Sequence, residues 1–238
     1  MLALNPSHQQ HEEWFRLRYC KDDELRFLGH RDTMRLLLKL LRQSRLPFQC
    51  TKGFSPRPRI VWGPPLPLGF VSRIEALDFA LKPESDAMAA GLAERSLNRL
   101  HEAQGERQMI LDVRHLRNEE PRISRAAVSA RYTLVFLNEQ LKPALTADQV
   151  EVWLTTEGRF VAGIGTNAEE SSTSESQPEG GLLSWEVEDS LLHLHAAVGG
   201  RDALSLSRFV KGLAAHTALR FFIGERTALL DAQGEPVH

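Results

Sequence analysis

Five prolines within twelve residues, Pro56, Pro58, Pro64, Pro65 and Pro67, constrain this chain more than any other feature. Each ring locks φ and removes a backbone donor, and each biases the residue before it away from helical angles, so no regular helix can run through them. Residues 51–69, TKGFSPRPRIVWGPPLPLG, must therefore form a shaped, stiff loop of turns and extended chain. Lys52, Arg57 and Arg59 stand on that loop, with Phe54 beside them and Gly53 free to take positive φ. Cations on a stiff backbone next to an aromatic ring suit RNA, because guanidinium groups match phosphate geometry and rings stack on bases. The bland reading of the same residues is a crossover loop with solvated charges.

The stretch before the loop is helical. Met34, Leu37, Leu38 and Leu41 stand at i, i+3, i+4 and i+7, the spacing of an apolar stripe that faces a core. Arg31, Arg35, Lys39 and Arg42 form a second stripe within an arc of roughly 80°. Gly29 or His30 should open this helix, with Asp32 favourably placed in its first turn and Pro47 ending it.

Across these two stretches LRFLGHRD, RLPF, KGFSPRPRI and PLPLG together resemble the radical-SAM-linked protein family, a domain of unknown function found beside or fused to radical SAM enzymes. The resemblance is specific over residues 14–80 and weak beyond, and its motif falls on Gly29, His30, Asp32, Gly53, Pro56, Pro58, Pro67 and Gly69. Family members more often read Ser-His-Leu-Asp at the helix start and Asn-Pro-His-Pro-Lys in the loop. Gly29, Ser55 and Arg57 depart from that pattern, which removes a serine hydroxyl and a second imidazole. The resemblance implies a radical SAM enzyme as partner. It implies no activity for the domain itself.

A chain of 238 residues with 42% hydrophobic and 25% charged residues has room for one large or two small cores. Its net charge of −2 hides an asymmetry: residues 14–62 carry 12 Lys and Arg against 4 Asp and Glu, a balance of +8. A mildly acidic protein with one basic region points to a localised anionic partner. Cys20 and Cys50 are too few for the three-cysteine cluster motif of a radical SAM enzyme, so that chemistry would belong to another chain, and no cofactor is expected here. With no membrane-length apolar run and no signal-peptide pattern, the expected location is cytoplasmic. The oligomeric state is not legible.

In chain order, residues 1–12 read as a loose arm, and the alternation of Phe15, Leu17 and Tyr19 with Arg16 and Arg18 as a half-buried strand. Residues 60–62, 76–81 and 109–113 read as strands, with a helix capped by Ser85 or Asp86 before the last of them. Charged residues 117–127 mark a linker between two domains, 13–116 and 128–230, followed by a tail at 231–238. In the second domain, strands are expected at 132–137, 159–164, 183–187, 192–196 and 219–223. Helices should start at Thr146 and Ser205, and the polar stretch 166–181 should be a disordered insertion. The first half thus has the order strand, helix, strand, strand, helix, strand, and the second, with one strand more, is read as fitting the same order. The expected class is α+β, with tandem ferredoxin-like (βαββαβ) units whose antiparallel sheets each leave one face open. Arg16 and Arg18 would lie on that open face.

Few residues suggest chemistry. His193 and His195 share a strand face but have no third ligand placed by sequence, so no metal site is expected. His30 is the single catalytic candidate, because it opens the basic helix and has an unperturbed pKa near 6.5; a packing or capping histidine is the simpler reading. The preferred function is a non-catalytic, RNA-binding or substrate-presenting accessory of a radical SAM enzyme. Its nucleic-acid surface would comprise Arg16, Arg18, Arg31, Arg35, Lys39, Arg42, Lys52, Phe54, Arg57 and Arg59. The alternatives are a metal-independent RNA endonuclease of the ferredoxin-like CRISPR type, with His30 as general base, and a protein–protein adaptor. Replacing residues 166–181 by a few glycines should leave the melting temperature within a few degrees of the parent, because that stretch has little to bury.

Overall fold

The computed structural model describes residues 12–82, 91–156, 181–200, 203–219 and 221–237. Among them are eight strands and five α-helices, in the order β1 (Glu13–Lys21), α1 (His30–Gln43), β2 (Ile60–Trp62), β3 (Phe70–Leu81), α2 (Leu92–Gln104), β4 (Ile110–His115), α3 (Ile123–Ala126), β5 (Ser129–Leu137), α4 (Ala147–Thr156), β6 (Leu182–Glu188), β7 (Leu191–Ala197), α5 (Leu206–Thr217) and β8 (Phe221–Leu230). The Ser85 and Asp86 caps, the strand over 159–164, residues 166–180 of the expected insertion and residues 1–11 of the expected arm lie outside the described residues.

In place of two antiparallel sheets there is one mixed sheet, ordered β4-β1-β3-β8-β5-β7-β6, with β2 paired to β3. Its ladders are antiparallel except one: Phe70–Ser72 of β3 pair in parallel with Gly224–Arg226 of β8 and join the two halves. That junction depends on Gly224, where an added Cβ would lie 2.3 Å from the ring of Phe70. Strand β8 also runs well past the expected 219–223. The sequence 224–227, Gly-Glu-Arg-Thr, has no apolar alternation to reveal a strand.

Helix α1 has Gly29 as its N-cap and Asp32 in its first turn, as its sequence predicts. Its buried side is Thr33, Leu37, Leu40 and Leu41, rotated slightly from the expected stripe, so Met34 and Leu38 are half-buried at the margin. It stops short of Pro47, where Arg45 takes a left-handed φ of 53°. Helix α4 is opened by a reciprocal box: the Thr146 amide donates to Gln149 Oε1 at 2.9 Å and the Gln149 amide donates to Thr146 Oγ1 at 3.4 Å. Helix α5 buries Leu206, Phe209, Val210 and Leu213, the whole predicted stripe. One core lies between α1, α2 and the first strands, around Phe15, Leu17, Leu37, Leu41 and Phe79. A second lies under α4 and α5, around Leu134, Phe136, Trp153 and Phe209.

The opposite face of β1 and β3 is covered, contrary to the open face expected there. Residues 116–123 cross it, with Leu116 at 1% exposure and Ile123 at 0%. Arg16, expected to be solvent-facing, is consequently 2% exposed. It donates to Asp78 through Nε at 2.8 Å and Nη2 at 3.1 Å, and to the Pro121 carbonyl at 3.0 Å. Asp78 also accepts the Ile123 amide at 2.6 Å, so one carboxylate ties down the crossing segment and neutralises the arginine. Asp78→Ala should destabilise the fold by about 3–5 kcal/mol in urea titrations, because it removes the carboxylate that balances a buried guanidinium. The double variant Arg16→Met with Asp78→Leu should be less damaging than Asp78→Ala alone.

Candidate nucleic-acid surface and a buried charged cleft

The predicted cations divide into two groups by where the backbone carries them. On α1, Arg31, Arg35, Lys39 and Arg42 are all exposed. Arg35 meets Asp32 at 2.9 Å in an exposed pair, which solvent and salt make weak. The following loop is a hairpin: the Thr51 amide donates to the Arg57 carbonyl and the Arg59 amide to that of Gln49, each at 2.8 Å. Its tip carries Lys52, Gly53 at φ 124°, Phe54 and Arg57, all exposed, and the Phe54 ring is free of the core on every side. Among the described residues, Arg31, Lys39, Arg42, Lys52 and Arg57 form no ion pair.

Three predicted cations do not join that exposed set. Arg16 is buried against Asp78. Arg18 is half-buried, with Nε 2.6 Å from Asp112. Arg59 is held by Glu12 and lies 5.5 Å from the Trp14 ring centre. His193 and His195 are half-buried, at 3.2 Å from Thr133 Oγ1 and 2.9 Å from Ser129 Oγ. No group of three or more His, Cys, Asp or Glu side chains among the described residues could hold a metal.

The third constellation is one the sequence did not reveal. Lys21 of β1 stands opposite Ser72 of β3, Ser72 opposite Arg226 of β8, and Arg226 opposite Tyr132 of β5. Residues directly opposite in a ladder share a sheet face, so these four form a polar row across the junction of the halves. In the neighbouring row, Tyr19 is opposite Glu75. All six are buried, with Arg226 at 1% and Lys21 at 2% exposure. Arg226 Nη1 is 3.0 Å from both Glu75 oxygens and 3.1 Å from the Pro64 carbonyl, and Nη2 is 2.7 Å from that of Pro65. Lys21 Nζ donates to the Pro67 carbonyl at 3.2 Å. The proline loop is thus the lid of this row. Rings without N–H groups present carbonyls, and only carbonyls, to buried cations.

Over the row lies a cleft of about 310 Å³ whose wall includes His30, Pro64–Leu68, Tyr132, Val198 and Ser205–Ser207. His30, at the start of α1, is half-buried there. Burial lowers its pKa; Glu75 opposes that shift, and Lys21 and Arg226 add to it. Burial likewise lowers the pKa of Lys21, with Glu75 opposing and Arg226 adding. Tyr19 and Tyr132 are pushed up by burial and stay neutral. Burial is the largest influence on Arg226 and works against its charge, but Glu75, Tyr132 and Tyr19 together outweigh it and hold the guanidinium above its usual range. A signal for part of this was present in the sequence: Lys21 continues the buried positions Phe15, Leu17 and Tyr19 of an alternating strand.

Residues 15–170 match a family described as an uncharacterized protein conserved in bacteria, DUF2344. The chain belongs to that family. No curated protein matches it. In this DUF2344 protein the matched span holds α1, the hairpin, the proline lid, Lys21 and Glu75, whereas Arg226 and α5 lie beyond it. Among the described residues no helix is long and apolar enough to cross a membrane.

The depressed His30 pKa fixes the sign of one pH effect. Above about 6.5, the unfolded pKa, the imidazole is neutral in both states and contributes nothing. As pH falls below that value the unfolded chain takes a proton that the native site resists, so stability drops until the native pKa is passed. His195, lowered by burial and by Arg131, acts in the same direction. The urea midpoint should fall between about pH 7.5 and pH 5, and His30→Gln should make that fall shallower.

Proposed function

We propose that this chain is a non-catalytic, RNA-binding accessory module that presents its RNA to a radical SAM enzyme. The observation that carries the RNA reading is the hairpin tip, where a fully exposed Phe54 stands between exposed Lys52 and Arg57. Solvent exposure of a whole aromatic ring is unfavourable in a free protein and suits a surface on which a base stacks. The exposed cations of α1 extend the positive surface that would follow a phosphate backbone. The radical SAM partner is supported by the resemblance of LRFLGHRD, KGFSPRPRI and PLPLG alone. Each half, with its order of strand, helix, strand, strand, helix, strand, reads as a ferredoxin-like unit fused to the other through β3 and β8. This reading places the protein in the cytoplasm, where RNA and such an enzyme meet.

The purified chain with labelled single-stranded RNA tests the reading. Contacts to four to six phosphates give a slope of log affinity against log salt of about −3 to −4. Lys52→Ala with Arg57→Ala should flatten that slope by about 1. Phe54→Ala should cost about 1–3 kcal/mol of binding and leave the slope unchanged, because stacking is not electrostatic. Both variants should keep the parental melting temperature, since none of these three side chains fills a core. A flat salt response with no effect of Phe54→Ala would reject RNA in favour of a protein adaptor. Metal-free cleavage lost in His30→Ala would make the chain the endonuclease instead.

A further inference from the structure

The charge balance of the buried row is incomplete. Lys21 and Arg226 are two cations against the single carboxylate Glu75, all nearly sealed from solvent. Buried charge without a partner is costly, so an excess cation inside a fold points to an anion that completes it. Arg226 Nε is a second sign: it is buried with no hydrogen-bond partner among the described residues. Both cations bond carbonyls of the cleft wall, at Pro64, Pro65 and Pro67, and Arg226 also lies 5.4 Å from the ring centre of Tyr132, another wall residue. Their field therefore reaches the cleft through one layer of backbone.

Two helices begin at the same cleft, α1 at His30 and α5 after Ser205. Neither has a side-chain cap: Gly29 has no side chain to offer, and Ser205 makes no capping hydrogen bond. The amides of Asp32 and Arg208 already donate to the carbonyls of Gly29 and Ser205, and that of Leu206 to Leu204, which leaves the amides of His30, Arg31 and Ser207 for a ligand where the positive ends of both dipoles meet. Exposed Ser205 and Ser207 add hydroxyls, and His30 adds an imidazole. So many convergent donors exceed what two carboxylate oxygens can accept and suit the three oxygens of a phosphoryl group. The remaining wall, with Leu66, Leu68 and Val198, is apolar and leaves space for an organic body, at the small end of ligand pockets.

We propose that this cleft binds a phosphate monoester, with its oxygens on the uncapped starts of α1 and α5 and on Ser205 and Ser207, and its charge balanced by Lys21 and Arg226. The ester is either a free phosphorylated small molecule or the 5′-terminal phosphate of an RNA. The site does not depend on the hairpin surface, so each reading can fail without the other.

The full chain should be titrated with inorganic phosphate, adenosine 5′-monophosphate and acetate, by calorimetry and by NMR of the His30 imidazole. Both phosphates should bind saturably at millimolar concentration or below and raise the His30 pKa, whereas acetate should bind at least about tenfold more weakly. Ser205→Asp supplies a favoured N-cap and sets a carboxylate against the ligand. It should keep or raise the melting temperature yet weaken phosphate binding about tenfold or more. Ser207→Glu should weaken binding in the same way, and Phe54→Ala should leave it unchanged. RNA bearing a 5′-phosphate is then compared with the same RNA bearing a 5′-hydroxyl. A preference for the phosphate that Ser205→Asp abolishes identifies an RNA end, and tight nucleotide binding without that preference identifies a free small molecule. Absence of saturable phosphate binding, acetate binding as tightly, or indifference of binding to both serine variants would overturn the proposal.

Discussion

The ion pair between Arg226 and Glu75 holds the two halves of the molecule as one object. Arg226 comes from the last strand and Glu75 from the third, and their bidentate contact bridges 151 residues of chain at the only parallel ladder in the described sheet. A guanidinium at 1% exposure must have nearly all its donors met, and one carboxylate cannot meet them. The carbonyls of Pro64 and Pro65 take the rest of its Nη donors, so the stiff loop is required where it lies. Gly224 allows the approach by leaving room for the ring of Phe70. The positions of the loop, of His30 and of the start of α5 around one cleft all follow from this join.

The same chain uses arginine in opposite ways. Arg16 and Arg226 are interior, each with a bidentate carboxylate and a backbone carbonyl, and they act as staples between distant segments. Arg31, Arg42 and Arg57 are exposed and make no ion pair among the described residues, so they contribute a field rather than a bond. The balance of +8 over residues 14–62 therefore overstates the surface available to an anionic partner. Part of it is spent inside the fold, on Arg16 against Asp78 and on Lys21 against Pro67.

By itself the sequence determined the local elements. Residue periodicity placed α1, α5 and the β6–β7 hairpin, Thr146 marked the start of α4, and five prolines dictated a rigid loop. The exposed half of the candidate surface, from Arg31 to Arg42 and at Lys52, Phe54 and Arg57, was legible for the same reason: spacing and chain stiffness are local properties. Only the tertiary structure decided how those elements pair and which charges they bury. Two sheets were expected where β3 and β8 make one, and Arg16 was expected in solvent where residues 116–123 cover it. Lys21, Glu75, Tyr132 and Arg226 are far apart in the chain and share a face through the registers of three ladders. A buried charge is stable only when its partner arrives from elsewhere, so its place is set by long-range pairing that no local pattern encodes.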